Sequence, residues 1–418
     1  MKDLKTIILA AGKGTRMRSG LPKVLHPICG QAMIQYVLDL SRRVGSLKTY
    51  AVLGHKYQEV KAYLGKNAEI VLQKKLLGTA DAVKYTERYL KNHKGHVLIL
   101  CGDTPLLREE TVKRLLRKHR ASNAACTLLT AVVHEPFGYG RIIKGEHGEV
   151  LAVREEKDAS DFERNIAEIN VGVYCFKAPE LFKALKLVKA NPKKKEFYLT
   201  DIIEIFREQN LEVVAVEAED AREGLGVNSR EDLAFAESVH RGRILKRLMD
   251  AGVTIVAPQT TYIDSDVKIG QDTVIKPFTV IEQNVRIGKN CSIGPFARIR
   301  PGTRIADAVE IGNFTEVSRS RLDKRTVMKH FSFLGDARVG SSVNIGAGTV
   351  TANYDGQNKN VTQISSNAFI GSDSILVAPV RIGKGATTAA GAVVVKNTRV
   401  PDGGLVMGIP ARIIKRKK

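Results

Sequence analysis

Isoleucine stands at every sixth position from Ile263 to Ile311: Ile263, Ile269, Ile275, Ile281, Ile287, Ile293, Ile299, Ile305 and Ile311. Neither a helix at 3.6 residues per turn nor a strand alternating at 2 turns one residue in six inward. A prism does, if each flat face takes about six residues and packs its isoleucine into the axis. The pattern predicts a β-helix of hexapeptide repeats, each coil burying its apolar edge against the next. Gly270, Gly288, Gly294 and Gly312 each follow an inward isoleucine, where a corner needs either a positive φ or close backbone approach. After a break the rhythm returns as Ile364, Ile370, Leu376, Ile382, Thr388, Val394 and Val400.

The chain ahead of this column is patterned differently. Residues 5–11 read as a buried strand, Gly12–Arg16 as a glycine-rich turn, and a helical pattern begins near Gln31. Apolar runs at 48–53, 69–72 and 97–101 alternate with helical stretches, which predicts a Rossmann-like α/β domain with a mainly parallel sheet. Ser229 followed by Asp232 is a capping-box signal opening an amphipathic helix. The expected organisation is an α/β domain over 1–228, a linker helix over 229–252 and a β-helix over 253–418.

Composition narrows the partners. The 418 residues carry a formal charge of +22 and a pI near 9.7, which suits anionic small molecules such as nucleotides, sugar phosphates and coenzyme A. Nucleic acid is not expected: aromatics are 6%, Trp is absent, and the basic residues are scattered apart from Lys193–Lys195 and Lys415–Lys418. Five cysteines, odd in number and without a CxxC or Cys/His grouping along the chain, predict reduced thiols in a cytoplasmic protein and argue against a zinc site. The opening residues show no signal-peptide pattern, and no apolar run is long enough to cross a bilayer.

Candidate chemistry starts in the glycine turn. Strand, glycine loop, then helix is an arrangement by which backbone N–H groups meet phosphate oxygens, although neither a Walker sequence nor a GxGxxG fingerprint is present. Arg16 and Lys23 lie just downstream, where two cations can neutralise a polyphosphate. Asp103 follows the strand-like run Val97–Cys101, at the carboxyl end where open α/β sheets bind ligands. It is a candidate magnesium ligand, or else a helix cap. His330 is the only histidine in the β-helix half, and histidine is the side chain suited to taking a proton near neutral pH.

The segments Leu9–Met17, Leu21–His26, Gln73–Thr79, Gly102-Asp103, Gly138–Arg141, Glu155–Asp158, Glu168–Asn170, Tyr198–Asp201 and Gly226–Asn228 occur in order. Together they resemble the nucleotidylyltransferase half of the bacterial N-acetylglucosamine-1-phosphate uridylyltransferase/glucosamine-1-phosphate acetyltransferase family, and the hexapeptide column resembles its acetyltransferase half. The resemblance covers about residues 5–400 and implies a left-handed parallel β-helix, a homotrimer, magnesium, and UTP and acetyl-CoA as co-substrates. It implies that Leu9, Ala10, Ala11, Gly12 and Gly14, with Arg16 and Lys23, hold the triphosphate. By the same resemblance Gln73, Gly78 and Thr79 read the uracil, Gly140, Glu155 and Asn170 contact the sugar, and Asp103 and Asn228 bind the metal. In the second half it implies His330 as general base and Arg300 on the sugar phosphate. Asn344, Asn353 and Tyr354 fall on the sugar and acetyl group, Ser372 and Ala390 on acetyl-CoA, and Glu316 where it orients the site.

Three departures fall in the second half. The family commonly has lysine where Ser318 stands and tyrosine where Phe333 stands, and the tail Gly408–Arg412 resembles general hexapeptide acyltransferases. Arg319 is adjacent to Ser318, but alternation along a strand would point it to the opposite face. The resemblance implies a bifunctional enzyme of UDP-N-acetylglucosamine synthesis, and these departures make uridylyl transfer with acetyl transfer weakened or directed to another acceptor the first alternative. Nucleotidylyl transfer to a different nucleotide or sugar, and a non-enzymatic solenoid with a degenerate nucleotide domain, are the other readings.

Overall fold

The structure, a computed structural model, describes residues 3–192 and 195–414. Lys193, Lys194 and the basic tail Lys415–Lys418 lie outside the described residues. The chain divides into two compact units, Met1–Glu237 and Ser238–Lys418.

The first unit is built on nine strands: β1 (Leu4–Ala10), β2 (Thr49–Leu53), β3 (Glu69–Leu72), β4 (His96–Cys101), β5 (Cys126–Val132), β6 (Arg141–Lys144), β7 (Val150–Arg154), β8 (Glu168–Lys177) and β9 (Val213–Glu217). The main order is β9-β5-β8-β4-β1-β2-β3, with β6 and β7 attached at one end of β8. Within that order only β8 runs antiparallel to its neighbours. Strand alternation sorts the core onto two faces. Ile7, Val97 and Ile99 join one cluster, while Ile8, Leu98 and Leu100 join the other. Helices Met33–Arg43 and Glu109–Ala121 cover the second face with buried stripes such as Ile34, Val37, Leu38 and Val112, Leu115, Leu116.

The sequence places strands at 48–53, 69–72 and 97–101, and β2, β3 and β4 are there. The helix after the glycine loop is displaced from it. Two short 3-10 turns, Thr15–Met17 and Lys23–Leu25, and a small hairpin intervene before Met33. No α-helix N-terminus therefore follows the loop directly, and cationic side chains take the place of a helix dipole near it.

The helix Arg230–Asp250 begins as its sequence predicts: Ser229 Oγ accepts from the Asp232 amide, and the Asp232 carboxylate accepts from the Ser229 amide at 2.8 Å. The same carboxylate also accepts from the Asn228 amide, so the cap fixes the residue before it. The division between the units, Glu237/Ser238, falls inside this helix.

The second unit is a column of three sheets, with ten, eight and eight strands, all paired in parallel except the last, Arg412–Ile414, which closes the ten-stranded sheet antiparallel to Leu405–Met407. Val274 pairs with Ser292, and Ser292 with Glu310, one coil at a time along one face. Eight of the nine isoleucines are at most 5% exposed, while Ile269, in the first coil, is half-buried. Each buried isoleucine contributes about 1.5–3 kcal/mol of transfer free energy, so the ladder outweighs any single hydrogen bond in the column.

The break in the rhythm is not a break in the column. Val317, Leu322, Met328, Leu334, Val339, Ile345 and Thr351 continue inward, all buried, with five-residue steps from Val317 to Leu322 and from Leu334 to Val339. Met328–Asp336, which the pattern sets outside the repeat, contains two regular ladder strands. The real insertion is the loop leading from strand Val350–Ala352 to strand Thr362–Ile364. Of the corner glycines, Gly294 has a positive φ of 93°, whereas Gly312 is required by close approach: a Cβ there would lie 1.8 Å from the Lys329 carbonyl oxygen.

Candidate active sites

The candidate nucleotide site of the first unit lies where β1 and β4 finish. The Lys23 ammonium donates to the Asp103 carboxylate and, at 2.9 Å, to Asn228 Oδ1. Three residues from separate parts of the chain thus meet on one cation. Gly14 makes room for it: its φ is +62°, and a Cβ there would lie 2.7 Å from Lys23 Cβ. The Val227 amide donates to the Asp103 carbonyl at 2.8 Å, tying the Asn228 segment to the end of β4. Arg230 anchors that segment on its other side by donating to the Met17 carbonyl at 3.1 Å, and its guanidinium lies 3.3 Å from His26 Nδ1. Burial and the nearby Arg230 charge lower the basicity of His26.

Asp103 caps no helix. The next helix starts at Glu109 behind Arg108, and the carboxylate is given to Lys23. A cavity of about 70 Å³ opens here, lined by Leu9, Ala10, Gly12, Lys23, His55 and Asp103 among others. Arg16 is exposed and makes no ion pair among the described residues. Cys101, at the end of β4, is pushed up to about 12 by burial and the neighbouring Asp103 charge, so it is a neutral thiol.

The predicted uracil and sugar residues collect around the carboxyl end of β3 and the amino end of the antiparallel β8. Gln73 is buried, and its amide donates to the Gly78 carbonyl and, at 2.8 Å, to Asp81. Thr79 Oγ1 accepts from the Leu199 amide, which docks the 197–199 segment onto this corner. Asn170 donates to the Tyr174 hydroxyl at 2.6 Å, and its amide donates to the Gly140 carbonyl. Glu155 accepts from Thr200 Oγ1 at 3.0 Å. Tyr174 and Thr200 are partners that residue-by-residue reading misses. Thr200 lies inside the motif Tyr198–Asp201, which was the available signal; Tyr174 is one buried strand residue among many.

In the column the candidate residues fall on two adjoining faces, most of them at two different edges. His330 ends strand Val327–His330 on the ten-stranded face, and it is exposed. Ser372 and Ala390 follow strands Phe369–Ile370 and Thr387–Thr388 of the same face, so they share its edge. Asn344 opens a strand on that face. Arg300, Asn353 and Tyr354 instead follow strands of the next face, at its far edge, and Glu316 opens a strand on that face. Arg300 pairs with Glu316 at 2.9 Å, while its Nε is buried with no partner among the described residues.

Ser318 and Arg319 correct an expectation. Arg319 follows the strand at a corner with φ +49°, so strand alternation does not govern it. Its guanidinium folds back to the Ser318 hydroxyl at 2.9 Å and forks onto the Asp336 carboxylate at 2.7 and 2.8 Å. Asn353 donates to the same carboxylate. Arg319, then Asn353, hold Asp336 below the usual carboxylate range. A cation is thus present at this corner, neutralised by Asp336.

The other edge of this face carries an exposed aromatic stripe. Phe278, Phe296 and Phe314 stack with centroids 4.8 and 5.0 Å apart, and Phe331, beside His330, is exposed at the corresponding corner of the next coil.

Fold and site together define a nucleotidyl transferase joined to a hexapeptide-repeat transferase. The nucleotidyl transferase family profile matches residues 5–230, and profiles described as bacterial transferase hexapeptide and hexapeptide repeat of succinyl-transferase match 284–319 and 362–396. The chain belongs to the family of the bifunctional GlmU proteins. It is 45% identical to the Bifunctional protein GlmU of Geobacillus sp. (strain WCH70), over 96% of this chain and 94% of that one. The protein of that name from Bacillus subtilis (strain 168) is 42% identical over 98% and 96%. That from Streptococcus agalactiae serotype V is 43% identical over 96% and 94%.

Proposed function

We propose that the chain makes UDP-N-acetylglucosamine, acetylating glucosamine-1-phosphate from acetyl-CoA and then transferring UMP from UTP to the N-acetylated sugar phosphate with release of pyrophosphate. The observation that carries the first chemistry is the Lys23 ammonium held between Asp103 and Asn228. A carboxylate and an amide oxygen already gathered about one cation are a donor set that suits a hard metal, so Asp103 and Asn228 are the residues that would hold magnesium. When bound, that ion supplies charge neutralisation on the phosphate oxygens. The attacking sugar phosphate is already an anion, so the protein needs only to align it with the α-phosphorus and offset developing charge. Lys23 and the exposed Arg16 supply that positive charge. The turn Ala10–Gly14 approaches the triphosphate, the corner of Gln73, Gly78 and Thr79 takes the uracil, and Gly140, Glu155 and Asn170 take the sugar.

In the second chemistry His330 removes a proton from the amino group that attacks the thioester carbonyl, and free coenzyme A leaves. Arg300, with its buried unpartnered Nε, meets the sugar phosphate. Because the general base stands on one edge of the column and Arg300, Asn353 and Tyr354 stand on another, one copy carries two half-sites, which supports a homotrimer with sites between subunits. The exposed phenylalanine stripe running to His330 favours the same arrangement. Among the described residues no helix is long and apolar enough to cross a membrane. The reading places the enzyme in the cytoplasm, feeding cell-envelope polymers.

A second reading keeps uridylyl transfer and changes the acetyl acceptor. Ser318 is 1% exposed, so its hydroxyl does not replace the amino group of a lysine, and Phe333 lacks a hydroxyl beside Asn353. Pyrophosphate release from UTP and N-acetylglucosamine-1-phosphate tests the first half. Thiol release from acetyl-CoA, with glucosamine-1-phosphate against other amino-sugar phosphates, tests the second. Failure of pyrophosphate release with magnesium present would overturn the assignment, and a preferred acceptor other than glucosamine-1-phosphate would establish the second reading.

A further inference from the structure

At the end of β4 opposite Asp103, the fold brings together His96, His119 and Cys175. One ligand atom from each lies within 4.8 Å of the other two, the only such grouping of His, Cys, Asp and Glu found among the described residues. The chain hides it, because the three come from a strand, a helix and a distant strand. His96 opens β4, Cys175 lies on the adjoining β8 opposite Leu98, and His119 is on the helix Glu109–Ala121 that covers this face.

We propose that these three side chains form a binding site for a thiophilic transition metal, with Zn²⁺ as its occupant. His96 Nδ1 and His119 Nε2 face each other at 3.1 Å. Tetrahedral zinc, with bonds of about 2.0–2.1 Å to nitrogen and about 2.3 Å to sulfur, sets two nitrogens about 3.3 Å apart and nitrogen from sulfur about 3.6 Å apart. The nitrogens therefore need to open by only a few tenths of an ångström, and sulfur to close by about an ångström at most. The outward nitrogens already have partners of the kind that orient metal-bound imidazoles. His96 Nε2 lies 3.5 Å from the Asp3 carboxylate, and His119 Nδ1 lies 2.9 Å from Thr127 Oγ1. Arg120 holds Asp3 at 2.7 Å. His119 and Cys175 are buried and His96 is only partly exposed, so competing water is scarce. An imidazole pair with a thiol is a nitrogen–sulfur set that selects zinc or copper over magnesium, and it is chemically distinct from the oxygen donors of Asp103 and Asn228. The bound ion would clip β4, β8 and the covering helix at the end of β4 remote from the nucleotide.

The test uses the full-length protein stripped of metal with a chelator, then titrated with Zn²⁺ and with Co²⁺ as its spectroscopic substitute. One equivalent of zinc and a near-ultraviolet sulfur-to-cobalt charge-transfer band are expected. Cys175→Ala should remove the band and weaken zinc binding at least a hundredfold. The partly exposed His96→Gln should weaken binding while pyrophosphate release, the check on folding, stays at the wild-type rate. Asp3→Asn should cost about 10–100-fold in affinity. No band in the wild type, a band that survives Cys175→Ala, or zinc affinity within threefold of wild type in both Cys175→Ala and His96→Gln would overturn the proposal.

Discussion

Lys23 reaches across 80 residues to Asp103 and across 205 to Asn228, and all three touch within one copy of the chain. His330 and Asn353 are about one coil apart, yet the column sets them on different edges. The contrast follows from the two architectures. A parallel α/β sheet sends the carboxyl ends of its strands to one crevice, so residues distant in sequence converge. A solenoid stacks each coil on the last and contacts only its neighbours, so residues around one coil point outward in different directions. On the proposed reading the first unit completes its site alone, and the second shares its site with another copy.

The largest expected effect separates the two chemistries. Asp103→Ala should lower pyrophosphate release by about a hundredfold to a thousandfold, the scale of losing one electrostatic contact at a transferring group, and leave thiol release unchanged. His330→Ala should lower thiol release by about 10²–10⁴-fold and leave pyrophosphate release unchanged. Joint loss in both assays from either substitution would show that the units do not work independently.

Mixing variants breaks the comparison more directly. A co-refolded mixture of His330→Ala and Asn353→Ala chains should regain thiol release, because some interfaces combine an intact His330 from one copy with an intact Asn353 from the next. The matching mixture of Lys23→Ala and Asp103→Ala should regain no pyrophosphate release, since both residues are needed in the same copy. Recovery in the second mixture, or none in the first, would refute the distinction between a self-contained and a shared site.

The column was legible in the sequence because one physical requirement repeats: whatever occupies the axis must be aliphatic and recur once per face. Where the step shortens to five, at Leu322 and Val339, the same requirement holds but the counting fails, and the ladder reads as interrupted. The candidate nucleotide site was suggested by Asp103, whose place after an apolar strand implies the crevice. Its dependence on Gly14 and Arg230 was not, because those contacts exist only once distant segments are packed. The Arg319 corner was misread for a related reason: alternation is a rule for extended backbone, and a φ of +49° lies outside it.

The ladder itself predicts a graded stability series. Ile299→Ala, at a fully buried position between neighbouring coils, should cost about 2–5 kcal/mol in denaturant unfolding. Ile269→Ala, half-buried in the first coil, should cost distinctly less, because its cavity opens toward solvent. Equal losses would mean that inward isoleucines do not set the stability of the column.

The smallest effect concerns two carboxylates with opposite pH behaviour. Burial, then Glu204 and Glu155, raises Asp201 in the first unit to about 6, against about 3.9 for an unfolded chain. The native state therefore holds this proton more tightly, and the contribution of Asp201 to stability is lost as pH rises from about 4 through 6. Asp336 in the column is lowered, chiefly by Arg319, so its contribution is present above the unfolded value and is lost as pH falls below about 4. Partial exposure and screening limit both contributions. Hydrogen exchange, corrected for its intrinsic pH dependence, should show amides of Asp201–Glu208 losing protection between pH 4 and 6, with Asp201→Asn abolishing the loss. Amides of Phe333–Gly335 should lose protection only on acidification, with Arg319→Ala removing that dependence. If both segments moved in the same direction, the apparent difference would reflect net charge on the whole chain rather than these two environments, because a half-buried acid among acids and a half-buried acid gripped by a guanidinium must respond with opposite sign.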